Sequence, residues 1–280
     1  MYPDKLPVFP QKRYEVRRAP MKNIIRSQLV QLRKDRVCRL IFFGVLAATL
    51  LVVLALTDVA LGDIKITGGE LTVILLSMSQ LLGQSFMYLF TAQACGADFM
   101  DKTCNYEILS GHTRREVFFG RAIPTLIIGT LGTMFLIAAP LVAEVLIHGG
   151  WGDKVSLTDM LLRSLLIAFP VARCICEFIF LTYLIKNPYI VMGASFILWM
   201  FLNINISATR EHCFILGISN IKAIKNIDRW QSFGLGGNMH HIYITALEAD
   251  FVLPTIIVSV IMGGIALLLG YTFFKHDDMH

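Results

Sequence analysis

The chain has 280 residues, of which 55% are hydrophobic and only 16% charged, with a mean hydropathy of +0.64. An ordinary soluble domain is about one quarter charged, so this composition excludes one and reads as a membrane protein. The net charge of +5 does not indicate nucleic acid, because the basic residues cluster beside hydrophobic segments, where they act as topological anchors and contacts to anionic lipid.

Residues 1–20 hold four prolines and no apolar period, and are expected to form a disordered or non-native extension, with Met21 as an alternative translation start. From Met21 onward, Ile24, Ile25, Leu29, Val30 and Leu32 fall close to one helical stripe among basic residues. This predicts an amphipathic helix over 21–39 that lies along the inner membrane surface. The 39 mostly polar residues before the first long apolar run contain no short apolar core with an AxA-type site, which argues against a signal peptide.

Crossing a bilayer takes about 20 residues of helix, and six runs qualify: 40–60, 71–95, 122–147, 161–185, 188–204 and 253–274. The predicted fold is therefore an all-α membrane protein with six transmembrane helices over 40–280. The fourth run carries Arg163 and Arg173, and the fifth is short. Between them, Lys186-Asn187-Pro188 reads either as a tight turn or as an interruption in one irregular region. Seventeen Lys and Arg fall on the side of the N-terminus and six on the other, which puts both termini in the cytoplasm.

Residues 100–121, between the second and third runs, carry seven charges in 22 positions. A helix over 98–110 places Phe99, Met100, Cys104, Ile108 and Leu109 on one apolar face. Asp98, Asp101, Lys102, Asn105 and Glu107 then lie mostly away from it. Gly111 and His112 supply a C-terminal stop, and Thr113 with Glu116 fits a capping box that opens the next helix. The same stretch also reads as an ordinary basic connection between spans.

Polar groups inside the spans come next, since a charge in hydrocarbon must face protein or water. Arg173 and Glu177 are spaced to share a helix face and neutralise each other, near a kink expected at Pro170. Ser77, Gln80 and Gln84 line one side of the second span, where they suit hydrogen bonds between helices or a subunit interface. The six cysteines form no CxxC pair. His212, Cys213, His240 and His241 lack the spacing of metal ligands, and the Gly-rich stretch 234–238 lacks a phosphate-binding lysine. The loop over 207–251 contains two semi-apolar stretches that suit the outer leaflet. The chain holds no GxxxxGK[ST], GxSxG or HExxH.

A basic amphipathic helix, six spans, and KTCNYEILSGHTRREVFFGR after the second span resemble the permease subunits of ABC transporters of the ABC-2 exporter type. Thr103 matches the family's threonine, Leu109 its hydrophobic patch, Gly111 its turn, Thr113-Arg114 its Ser-Arg pair and Arg121 its later basic residue; Lys102 stands where glycine is usual. The resemblance implies a cytoplasmic coupling helix between spans two and three that docks into a separate ABC ATPase subunit, through Asp101, Lys102, Thr103, Tyr106, Glu107, Ile108, Leu109, Gly111, Thr113, Arg114 and Arg115. It also implies outer-leaflet helices before the sixth span, a second permease copy or a similar permease as partner, and a multi-pass place in a bacterial cytoplasmic membrane. The chain then needs no cofactor of its own, with ATP and Mg bound by the ATPase. An integral-membrane lipid-modifying enzyme using Arg173, Glu177 and the histidines, and a non-transporting scaffold or sensor, are the competing readings.

Overall fold

The computed structural model describes residues 21–62, 68–101, 103–148, 157–197 and 249–276. Eight helices and no strands occur among them: α1 (Met21–Lys34), α2 (Arg36–Gly62), α3 (Gly68–Met100), α4 (Thr103–Leu109), α5 (Arg114–His148), α6 (Leu157–Ile185), α7 (Pro188–Ile197) and α8 (Ala249–His276). Three of these contain stretches long and apolar enough to cross a membrane: Arg114–Ala139, Leu161–Ile185 and Thr255–His276. The extension over 1–20, Lys102, residues 207–248 of the expected loop with its histidines, and the far end of the 188–204 run lie outside the described residues, while the last three loop positions open α8.

The amphipathic segment expected over 21–39 divides at Asp35. The carboxylate of Asp35 accepts a hydrogen bond from the Val37 backbone amide at 2.8 Å, the N-cap arrangement that starts a helix, so α2 begins at Arg36. Helix α1 turns Ile24, Gln28 and Leu32 inward and leaves Lys22, Arg26, Leu29, Val30 and Arg33 exposed.

Side-chain pairings fix the relative directions of the helices. A Cβ on Gly83 would lie 3.2 Å from Ile137, one on Gly132 would lie 2.9 Å from Phe86, and one on Gly129 would lie 3.4 Å from Phe90, so α3 and α5 run antiparallel and close together. Helices α6 and α8 run parallel: a Cβ on Gly263 would lie 3.4 Å from the Arg173 Cα and one on Gly270 3.4 Å from the Phe180 Cα. Along α8 the inward positions are Thr255, Ser259, Gly263, Ala266, Gly270 and Phe274. Small residues allow backbones to approach where lipid, being as apolar as the side chains, supplies no hydrophobic drive between helices.

The ambiguity at Lys186-Asn187-Pro188 resolves as a tight turn. Lys186 takes a left-handed φ of 60°, the Asn187 side-chain oxygen accepts from the amides of Tyr189 and Ile190, and Pro188 opens α7 at the position where a missing N–H costs nothing. Tyr88 of α3 contacts both Phe178 before the turn, at 6.1 Å between ring centres, and Phe196 after it, at 6.2 Å. One straight helix would separate those two phenylalanines by about 27 Å, so α6 and α7 form a hairpin.

These pairings gather the start of α2, the end of α3, α4, the start of α5, the α6–α7 turn and the end of α8 at one end of the bundle. That end carries Arg36, Arg39, Arg114, Arg115, Arg121, Lys186 and Lys275, with α1 laid across it. Its apolar interior is an aromatic cluster in which Tyr183 meets Phe118 at 4.6 Å, Phe99 at 5.2 Å and Phe274 at 5.2 Å.

The turn depends on a glycine. A Cβ on Gly96 would lie 2.7 Å from Pro188 Cβ and 2.9 Å from its Cα, against backbone that cannot step aside. Gly96→Ala is expected to cost about 1–3 kcal/mol by overpacking. Gly264→Ala, on the open face of α8, is expected to be neutral or slightly stabilising. Thermal unfolding of the two purified variants in detergent checks the contrast; equal midpoints would refute the packing account.

Candidate functional site

Between α3 and α5 the chain is not one helix over 98–110. Helix α3 carries Asp98 to its end at Met100, and α4 restarts at Thr103. The reason is Asp98, expected on the polar side but fully buried, because the guanidinium of Arg121 in α5 takes its Oδ2. The Thr103 hydroxyl donates to Asp98 Oδ1 at 3.0 Å and ties the start of α4 to the end of α3. Helix α4 ends in a Schellman motif: the Gly111 amide donates to the Ile108 carbonyl at 3.0 Å and the His112 amide to Glu107 at 3.3 Å, with Gly111 at φ 99°. The predicted capping box follows, with the Thr113 amide donating to Glu116 at 2.8 Å and the Glu116 amide to the Thr113 hydroxyl at 3.3 Å.

Arg121 is the hub of this end of the molecule. Its Nε and Nη2 grip the Glu107 carboxylate at 3.0 and 2.9 Å, while Nη1 pairs with Asp98 and reaches Gln28 Oε1 at 3.5 Å. Gln31 of α1 donates to Asp98 Oδ1 at 2.9 Å, and Gln28 donates to the Ala94 carbonyl at 3.0 Å. One guanidinium thus joins α1, α3, α4 and α5. Beside it, Ile24 fits against Gly120, where a Cβ would lie 2.7 Å away. Gln93 and Asp35, at 3.3 Å, link α3 to the α1–α2 break.

Glu107, expected away from the apolar face, therefore turns toward the bundle. Its side chain is 20% exposed and its carboxyl turns in to Arg121; burial pushes its pKa up to about 7. Cys104 is buried and Ile108 packs on the core, as the apolar face requires, but Met100 and Leu109, assigned to the same face, point out. The outward surface of α4 is Tyr106 at 66% and Leu109 at 82% exposure, flanked by Asp101, Ser110, Gly111, Thr113 and Arg115. Arg114 leaves that surface: its Nη1 donates to the carbonyls of Phe274 and Lys275 at 3.1 and 2.9 Å, closing the end of α8.

The intramembrane pair forms as its spacing predicts, with Arg173 Nε to Glu177 Oε1 at 2.8 Å, on α6 three residues beyond Pro170. Gln84 is buried in α3, whereas the side chains of Ser77 and Gln80 lie outside the described residues. Sequence reasoning treated Arg121 only as a basic residue at the start of a span and missed Gln28 and Gln31. The signal available for these was two glutamines on the inward side of a basic amphipathic helix, where leucine would otherwise sit. Among the described residues no cluster of His, Cys, Asp and Glu is arranged to hold a metal ion. No family model matches the chain, and no curated protein matches it.

Removing Arg121 leaves Asp98 buried and uncompensated. Arg121→Ala is expected to destabilise by about 3–5 kcal/mol, and Arg121→Lys to recover part of that, since an ammonium cannot reproduce the fork. The yield of membrane-inserted protein and its thermal midpoint measure both; an Arg121→Ala variant as stable as wild type would disprove the hub.

Proposed function

We propose that the chain is the membrane-spanning permease subunit of an ATP-binding cassette exporter. It moves its substrate across the cytoplasmic membrane with ATP hydrolysed by a separate subunit, and works with a second copy or a similar permease. The observation that carries this reading is α4. A two-turn helix sits between two long helices, anchored by Arg121 and Cys104 on one side, and offers Tyr106 and Leu109 on the other. A large aromatic and a large aliphatic side chain held that exposed by a rigid mount are the anchors a partner's groove takes up. The resemblance of residues 102–121 to the coupling segment of ABC-2 permeases supports the same reading.

In this proposal six segments cross the bilayer: α2, α3, α5, α6, the apolar run over 188–204 that α7 opens, and α8. Their alternating directions fit that count, and the basic end of the bundle is then cytoplasmic by the positive-inside rule. ATP-driven closure of the partner subunits moves α4, and the Arg121 fork carries that movement into α3, α5 and α1 together. Inward and outward states then differ in how well they bind the ATPase, which is what lets ATP shift the population.

Tyr106→Asp combined with Leu109→Asp is expected to weaken co-purification of the ATPase subunit by about thirtyfold or more, the loss of one interface hot spot, while the amount of permease in the membrane stays at the wild-type level. Retention of the ATPase at wild-type stoichiometry would remove the coupling assignment. Orientation is tested separately: reporters fused after His280 and inserted at His112 are expected to read cytoplasmic, and one at Asn220 external. An external reading at His280 would overturn the six-span count.

A further inference from the structure

The hub holds one cation and two carboxylates, and that imbalance has a chemical meaning. Arg121, Asp98 and Glu107 together carry a net charge of −1 when all are ionised, in a site where Arg121 is 3% and Asp98 0% exposed. An uncompensated charge there is costly, and binding one proton cancels it. Asp98 is wholly out of water: its Oδ1 receives hydrogen bonds from Gln31 and Thr103, and its Oδ2 has the Arg121 guanidinium as ion-pair partner. Glu107 receives only the Arg121 fork, and it alone of the three reaches water, at 20% exposure. The groups that act electrostatically on its surroundings are Arg121 from α5, Asp98 and Cys95 from α3, Tyr183 from α6 and Cys104 from α4 itself. Among these described groups Arg121 supplies the sole positive charge.

We infer that Glu107 is a proton-binding site that latches α4 to the bundle, so that protonation tightens the docking of α4 and deprotonation loosens it. The step is a proton transfer from the aqueous phase to a Glu107 carboxylate oxygen, with no other bond made or broken. Neutral Glu107 keeps a hydrogen bond to Arg121 and leaves the guanidinium's charge to Asp98. The direction agrees with burial raising the Glu107 pKa to about 7. A carboxyl whose docked pKa lies above its free value binds its proton more tightly when docked. Docking is therefore strongest below the free value and weakens as pH rises through about 7. The latch concerns the attachment of α4 alone and holds whether or not an ATPase docks there.

The test is amide hydrogen exchange of the peptide covering residues 103–112, in the full-length protein reconstituted in lipid without any partner, at pH 6 and pH 8 after correction for intrinsic rates. Wild type is expected to lose about tenfold in protection at the higher pH, the loss levelling off above about 7. Glu107→Gln, which mimics the protonated form, is expected to be equally protected at both values, and His112→Gln to keep the wild-type transition. The inference is overturned by a wild type without a transition, by a transition that survives in Glu107→Gln, or by one that vanishes in His112→Gln. Where Glu107→Gln does not reach the membrane, Glu107→Asp replaces it: a loss of protection between pH 6 and pH 8 that differs in size from that of wild type supports the latch, and an equal loss overturns it. Loss of ATPase binding in the Tyr106 and Leu109 variant leaves this result untouched, so the two proposals fail separately.

Discussion

The guanidinium of Arg121, shared between Asp98 and Glu107, is the constraint on which the basic end of the molecule depends. Arginine is suited to this because its planar fork presents five donors and does not lose its charge. Two are spent on Glu107, one side faces Asp98, and the residual reach goes to Gln28. With Asp98 fully buried, the alternative to this pairing is an unpaired carboxylate in an apolar surrounding, which the fold cannot tolerate. The break between α3 and α4, the inward turn of Glu107 and the seating of α1 all follow from satisfying that one group.

The hub rests on a different kind of order beneath it. Phe99, Phe118, Tyr183 and Phe274 bring α3, α5, α6 and α8 together in edge-to-face and tilted ring contacts, so the ionic layer lies on a packed aromatic floor. Farther along, close approach replaces charge: glycines at 83, 129 and 132 let α3 and α5 meet, and Gly263 and Gly270 do the same for α6 and α8. Because these contacts have little slack, a displacement imposed on α4 has few ways to dissipate before it reaches the long helices. In the proposed role this rigidity is what makes a two-turn helix useful as a lever.

Helix α4 divides its labour by face. Cys104, Ile108 and Glu107 attach it, while Tyr106 and Leu109 stay largely exposed among the described residues. Arg114 and Arg115 are adjacent in sequence yet differ in the same way. The first closes the end of α8 through two backbone carbonyls, and the second is exposed.

What the sequence determined by itself was whatever depends on near neighbours. Span length and hydropathy placed the run over 161–185 where α6 has its apolar stretch; the Thr113 and Glu116 box, the Gly111 stop and the Arg173–Glu177 pair were legible because each partner lies within four residues of the other. The helical period also found the buried side of α4 at Cys104 and Ile108. It failed at Asp98 and Glu107, since a polar residue on a helix defaults to the solvent side unless a partner is known. That partner, Arg121, stands 14 residues from Glu107, and the glutamines that complete the hub are 67 and 93 residues from theirs. Only the tertiary structure, by folding α1, α3 and α5 to one end, decided which charges were buried. The cost of a buried charge depends on who stands beside it, and sequence order does not record that.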